Sequence, residues 1–184
     1  VGTSSLRRQS LIRSERPDLE ILPLRGNVDT RLRKLETEGL DAIILASAGL
    51  NRLELNGNVS ELLDPKRFVP AAGQGVMAIV SRKDDYQTRD LLSSLEDADS
   101  RVAITAERAA LVELGGGCRI PFGAWARFEG AKFVLDGVVA HPNKGNPVRS
   151  RIENSPDKAN VMGQELAQAL LDKGGASILE EVLA

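Results

Sequence analysis

The run LDAIILA, Leu40 to Ala46, is apolar at every position but one and is flanked on both sides by polar, helix-like segments. An unbroken apolar run of strand length predicts a strand buried on both faces of a parallel sheet. Upstream, VGT (residues 1–3) reads as a strand end and LEILPL (19–24) as a second strand. Between them, SSLRRQSLIRSE predicts a helix with serines at its cap, and NVDTRLRKLETEG predicts a helix with an Asn cap and a closing Gly. Three βα units in succession predict an α/β layer structure.

The pattern changes after residue 66. RFVPAAGQGVMAIVSR is a glycine-punctuated segment expected to lead into a strand. A helical stretch follows from Tyr86 to Leu114, broken near EDADS, and its second half is amphipathic and stops at glycines. FGAWARFEGAKFVLDGVVAHP alternates as two antiparallel strands around an EG turn, NPVRSRIEN adds a third, and the last 29 residues close the chain helically. These pieces make a small α+β domain with a three-stranded antiparallel sheet.

In open α/β sheets ligands sit beyond the carboxyl ends of the strands, beside helix N-termini. At those positions stand Ser4, Ser5, Arg7 and Arg8, then Arg25, Gly26, Asn27 and Arg31, then Ala46 through Arg52. A helix N-terminus offers unpaired N–H groups, and a guanidinium offers a planar fork matched to a carboxylate or phosphate. Five arginines at one structural level describe a polyanion site, although each alone could be a solvated surface residue paired with Glu15, Asp29 or Glu54.

Composition narrows the classes. The chain has 184 residues, 42% of them hydrophobic, a net charge of -2 and a pI near 5.6. That balance argues against a nucleic-acid partner, so any cationic site is local. No apolar run approaches bilayer length and no signal-peptide pattern opens the chain, which excludes a membrane-spanning reading and predicts a cytoplasmic protein. One cysteine excludes an internal disulfide, and one histidine with one cysteine predicts no metal cluster. The chain opens without methionine on a strand end, the pattern of a fragment that begins inside a domain. Cys118, behind three glycines in LGGGCRIPFG, could be a small buried hydrophobe or a nucleophile on a flexible loop.

Taken together, VGTSSLRRQ, LRGNVDTRL, DAIILASAGLNRL, PAAGQG, ITAERA and LGGGCRIPFGAWA resemble the porphobilinogen deaminase, or hydroxymethylbilane synthase, family from end to end of the chain. The resemblance implies three parts. Residues 1–68 correspond to domain two, a lobe of the type II periplasmic-binding-protein kind; residues 69–93 to the segment returning to domain one; residues 97–184 to a C-terminal α+β domain carrying the cofactor cysteine. It implies a transferase of tetrapyrrole and heme biosynthesis that condenses four porphobilinogen units into hydroxymethylbilane with loss of ammonia. It also implies a dipyrromethane cofactor joined to Cys118 by a thioether and contacted by Ser5, Arg7, Arg8, Arg25, Arg31, Ala46, Arg52 and Gln74. Arg7, Arg25, Arg31 and Arg52 bind substrate as well. The implied partners are porphobilinogen, the growing polypyrrole and an N-terminal domain-one segment, in a protein that is monomeric when full length.

The family's catalytic aspartate matches nothing in this sequence. No catalytic residue is assigned here, and the 184 residues alone are expected to be inactive. Asp29, Asp41 and Asp64 read as cap or surface residues, His141 as a turn residue and Trp125 as a sheet aromatic. A second reading is the anion-binding lobe of a periplasmic-type binding protein or regulator effector domain. It accounts for the arginines but leaves the glycine-flanked cysteine and the appended small domain without a role.

Overall fold

The computed structural model describes residues 1–117, 120–144 and 146–183. In its first part, three extended segments run parallel, with Gly2 bridged to Leu22 on one side and to Ile43 on the other. Thr3 N–H donates to the Leu22 carbonyl (2.9 Å) and Gly2 N–H to that of Ala42 (2.8 Å). Helices follow each segment: α1 (Leu6–Glu15), α2 (Val28–Thr37) and the short α3 (Ser47–Arg52). Ser5 caps α1 and Asn27 caps α2, each side chain accepting the N–H three residues on, which satisfies one of the donors left free in a first helical turn.

The three predicted strands are corrected to single-residue bridges. The Leu24 N–H donates to Ser4 Oγ (2.9 Å), and Pro23 has no N–H to give. The ladder therefore ends after one step.

Val76 to Arg82 also departs from expectation: the segment forms no strand. Met77, Ile79 and Val80 are 73%, 57% and 91% exposed, so these apolar side chains are left in solvent. Among the described residues no second strand lies beside the segment, and without ladder partners extended backbone has nothing to pair with. Just before it, Val69 is buried and the 71–76 stretch turns twice, through Gln74 N–H to the Ala71 carbonyl and Val76 N–H to that of Gly73.

Helices α4 (Tyr86–Ser93) and α5 (Ala98–Glu113) carry aspartate caps, Asp85 and Asp97, so the break near EDADS is a new helix start. Strands β1 (Phe122–Glu129), β2 (Lys132–Val139) and β3 (Val148–Asn154) form an antiparallel sheet in sequence order, with Phe122 opposite Val139 and Val139 opposite Val148. The closing segment is two helices, α6 (Ala159–Leu170) and α7 (Ala176–Leu183), separated by a π-type turn in which Gly174 has φ 104°. None of the described helices is long and apolar enough to cross a membrane.

Strand alternation decides which side chains meet. Phe133, Leu135 and Val139 join Met162, Leu166 and Leu170 of α6 and Ala106 and Ala110 of α5 in the main core. Val138 points the other way and, with Ala140 just past the strand, packs against Leu11 of α1 and Val69. Ser10 Oγ donates to the Ala140 carbonyl (2.9 Å), fixing α1 on that second face.

Gly123 on β1 makes this approach possible. A Cβ there would lie 2.7 Å from the Val69 carbonyl oxygen, 2.8 Å from that of Pro70 and 3.0 Å from Arg7 Cδ. Backbone carbonyls cannot swing aside as a side-chain tip can. Gly123→Ala is therefore expected to destabilise the protein by about 1–3 kcal/mol, the usual cost of overpacking. A lowered denaturant midpoint with unchanged m-value checks it.

Candidate functional site

Ser5, Arg7 and Arg8 stand at the turn from the first extended segment into α1. Arg7 is only 7% exposed. Its Nη1 donates to the Val69 carbonyl (2.5 Å) and its Nη2 reaches Gln74 Oε1 (3.4 Å). Burial, and then the charge of Arg8, lower its pKa to about 10. Arg8 Nη1 donates to the Ile44 carbonyl (2.6 Å), and burial followed by the charge of Arg31 pushes its pKa below the ordinary arginine value. Arg31, on α2, directs Nε to the Gly26 carbonyl (2.7 Å). Arg8 thus lies within electrostatic reach of both Arg7 and Arg31, and the protein acceptors of the three are neutral carbonyls and an amide. Those acceptors take hydrogen bonds without cancelling charge. The arrangement is paid for in desolvation and repulsion, and an anion relieves both.

The remaining candidates sit around this group. Arg25 is exposed at the end of the second segment. Ala46 caps α3 with its backbone and lines a cavity of about 270 Å³ that Gln74, Trp125 and Glu107 also line. Arg52 is the outlier: its Nη1 is 3.7 Å from Met77 Sδ, which ties it to the 76–82 segment instead of to Arg7 or Arg8. Cys118 lies outside the described residues. The approach to it is described: Gly115, Gly116 and Gly117 have φ of 93°, 63° and 104°, a left-handed path that disfavours any residue with a Cβ, and Gly116 N–H closes the end of α5 on the Leu111 carbonyl (2.8 Å).

Trp125 belongs to the sheet, as its alternation predicts, with the Arg127 guanidinium 3.7 Å above its ring. His141 is a turn residue whose Nδ1 accepts from Asn143 N–H (3.0 Å). Asp64 caps its own turn, accepting from Lys66 N–H (2.9 Å).

The residue that sequence reasoning missed is Glu107. It is 6% exposed on the apolar face of α5, where Oε2 accepts from Gly73 N–H (2.7 Å) and Oε1 from Ala126 N–H (2.8 Å). One carboxylate thereby joins the turn that carries Gln74 to the outer edge of β1. Desolvation raises its pKa, while the two N–H donors pull the other way. A signal was available: Ala103, Ala106, Glu107 and Ala110 share a helical stripe, and a lone charge within an apolar stripe needs dedicated partners.

Comparison with known proteins adds identity to this geometry. The family described as porphobilinogen deaminase, dipyromethane cofactor binding domain, matches residues 1–90, and porphobilinogen deaminase, C-terminal domain, matches residues 102–172. The chain is 49% identical over 179 residues to a porphobilinogen deaminase of Roseiflexus sp. (strain RS-1), covering 97% of the chain and 59% of that protein. It is 47% identical over 182 residues to the one of Syntrophobacter fumaroxidans, covering 99% and 59%. For the one of Xanthomonas axonopodis pv. citri it is 45% identical over 182 residues, covering 99% and 60%. The chain therefore spans about three fifths of the length of these relatives.

Proposed function

Because the chain belongs to the porphobilinogen deaminase family, we propose that it is the cofactor-carrying part of a hydroxymethylbilane synthase, which joins four porphobilinogen units head to tail and releases ammonia. In this reading residues 1–68 are a lobe of the periplasmic-binding-protein kind, 69–93 return to domain one, and 97–184 are the C-terminal domain. The enzyme works in the cytoplasm as a monomer, together with a domain-one segment, on porphobilinogen and the growing polypyrrole.

The observation that carries the reading is the cluster of Arg7, Arg8 and Arg31, buried or half-buried and facing neutral acceptors. A dipyrromethane brings an acetate and a propionate on each pyrrole, and this residue set fits such a polycarboxylate. Arg8 is anchored by one arm and Arg7 by both Nη1 and Nη2, each keeping further N–H groups to offer, and Ser5 and Asn27 mark two helix N-termini beside them. When bound, the cofactor supplies the primer on which the chain of pyrroles is extended. The protein's own part is to hold the carboxylates in register, with Arg25 and Arg52 reaching toward later pyrroles, Gln74 holding Arg7, and Cys118 anchoring the cofactor.

In the full-length protein, addition of porphobilinogen is expected to yield hydroxymethylbilane, read as porphyrin absorbance after oxidation; absence of product removes this reading. Arg25→Lys is expected to lower turnover tenfold or more, because an ammonium cannot form the bidentate fork and a charge-assisted bond is worth roughly 1.5–3 kcal/mol. Unchanged turnover would contradict the role of Arg25.

A further inference from the structure

A second concave site shares only Val69 with the surroundings of the arginine cluster. It has a volume of about 520 Å³ and is bounded by Lys66 and Val69, by Asp136, Gly137, Ser150 and Arg151 of the β2–β3 pair with the neighbouring Arg149, and by Lys173 from the turn after α6. Four of these residues are cations and one is an acid, in a chain whose net charge is -2. The excess is local.

Arg149 and Lys173 are held in place by groups that do not neutralise them, whereas Arg151 is paired with Glu129 (2.8 Å) and adds little to the excess. Arg149 spends Nη1 on the Lys66 carbonyl (3.0 Å) and Nη2 on the Arg67 carbonyl (2.6 Å). Lys173 Nζ is placed by Ser150 Oγ (3.1 Å) and the Arg149 carbonyl (3.4 Å). The Lys66 ammonium makes no hydrogen bond or ion pair with the described residues. The one acid, Asp136, is already engaged by Arg127 (2.6 Å) and Arg151 (3.8 Å), so it neither cancels the remaining charge nor stands free to repel an anion.

We propose that this cavity is a binding site for a small phosphoryl-bearing molecule, distinct from the pyrrole cleft. Its volume suits a small ligand and not an extended polymer. Two ammonium point charges, an anchored guanidinium and a hydroxyl approach from different elements, an arrangement that suits the several oxygens of a tetrahedral phosphoryl group better than one planar carboxylate.

The test is a titration of the 184-residue chain with inorganic pyrophosphate, followed by amide NMR, with citrate at matched ionic strength as the second arm. Saturable shifts are expected at Gly137, Ser150 and Lys173. The double variant Lys66→Gln/Lys173→Gln is expected to weaken binding at least tenfold while its thermal midpoint stays that of the parent. Three results would overturn the proposal: shifts confined to Arg7, Arg8 and Arg31, undiminished binding by the double variant, or citrate binding as tight as pyrophosphate.

Discussion

Full-length protein with serine in place of Cys118 is expected to fold normally and to carry no covalent pyrrole. A thiol ionises readily enough near neutral pH to attack an electrophilic pyrrole methylene; a serine hydroxyl without an adjacent base does not. Folding is expected to survive because the exchange changes a single atom, sulfur to oxygen, and leaves Phe133, Leu135, Met162 and Leu166 of the main core unaltered. Intact mass after incubation with porphobilinogen is the measurement. The parent is expected to gain the mass of two pyrrole units on a peptide containing residue 118 and the variant to gain none. An adduct mapped to another residue of the parent would end the assignment.

Glu107→Ala is expected to produce the largest loss of stability among single substitutions in the site region. It leaves the buried Ala126 N–H and the half-buried Gly73 N–H without their acceptor; a buried unsatisfied donor costs about 1–3 kcal/mol, and one that water partly reaches costs less. Relief of the buried carboxylate's desolvation offsets part of that sum, so a net loss of roughly 2–4 kcal/mol is expected. Amide exchange at Gly73 and Ala126 is expected to accelerate in the variant, and slow exchange at both would refute the tie.

Glu107→Gln separates the charge from the shape. The folded state raises the Glu107 pKa, so it binds a proton more readily than the unfolded chain does. By linkage this contribution grows as pH falls through the raised folded value, is complete below the ordinary glutamate value, and is lost as pH rises. The stability difference between parent and Glu107→Gln is expected to move in the parent's favour from neutral pH toward pH 4. A pH-independent difference would mean that the carboxylate does not titrate in that range.

Local features of the chain were legible in its sequence. The caps at Ser5 and Asn27, the hairpin around Gly130 and the inward face of β2 follow from rules that act within a few residues, so hydroxyls, amides, glycines and alternation report them directly. The grouping of Arg7 and Arg8 with Arg31 was legible for the same reason, since strand ends and helix starts of successive βα units lie on one side of a sheet.

Tertiary structure alone decided the rest. The Val76–Arg82 segment has the composition of a strand but forms none, because a strand requires a neighbour and composition does not supply one. The bond from Ser10 to Ala140 spans 130 positions, and Glu107 joins Gly73 to Ala126 from two directions. The sequence by itself determined which faces of α5 and β1 had to be buried, whereas α1, whose buried residues include Arg7 and Ser10, carries no such stripe. Which of those faces met was decided by shape, by the room left at Gly123 and by the requirement that every buried N–H find an acceptor, conditions that hold among distant residues at once and leave no periodic trace along the chain.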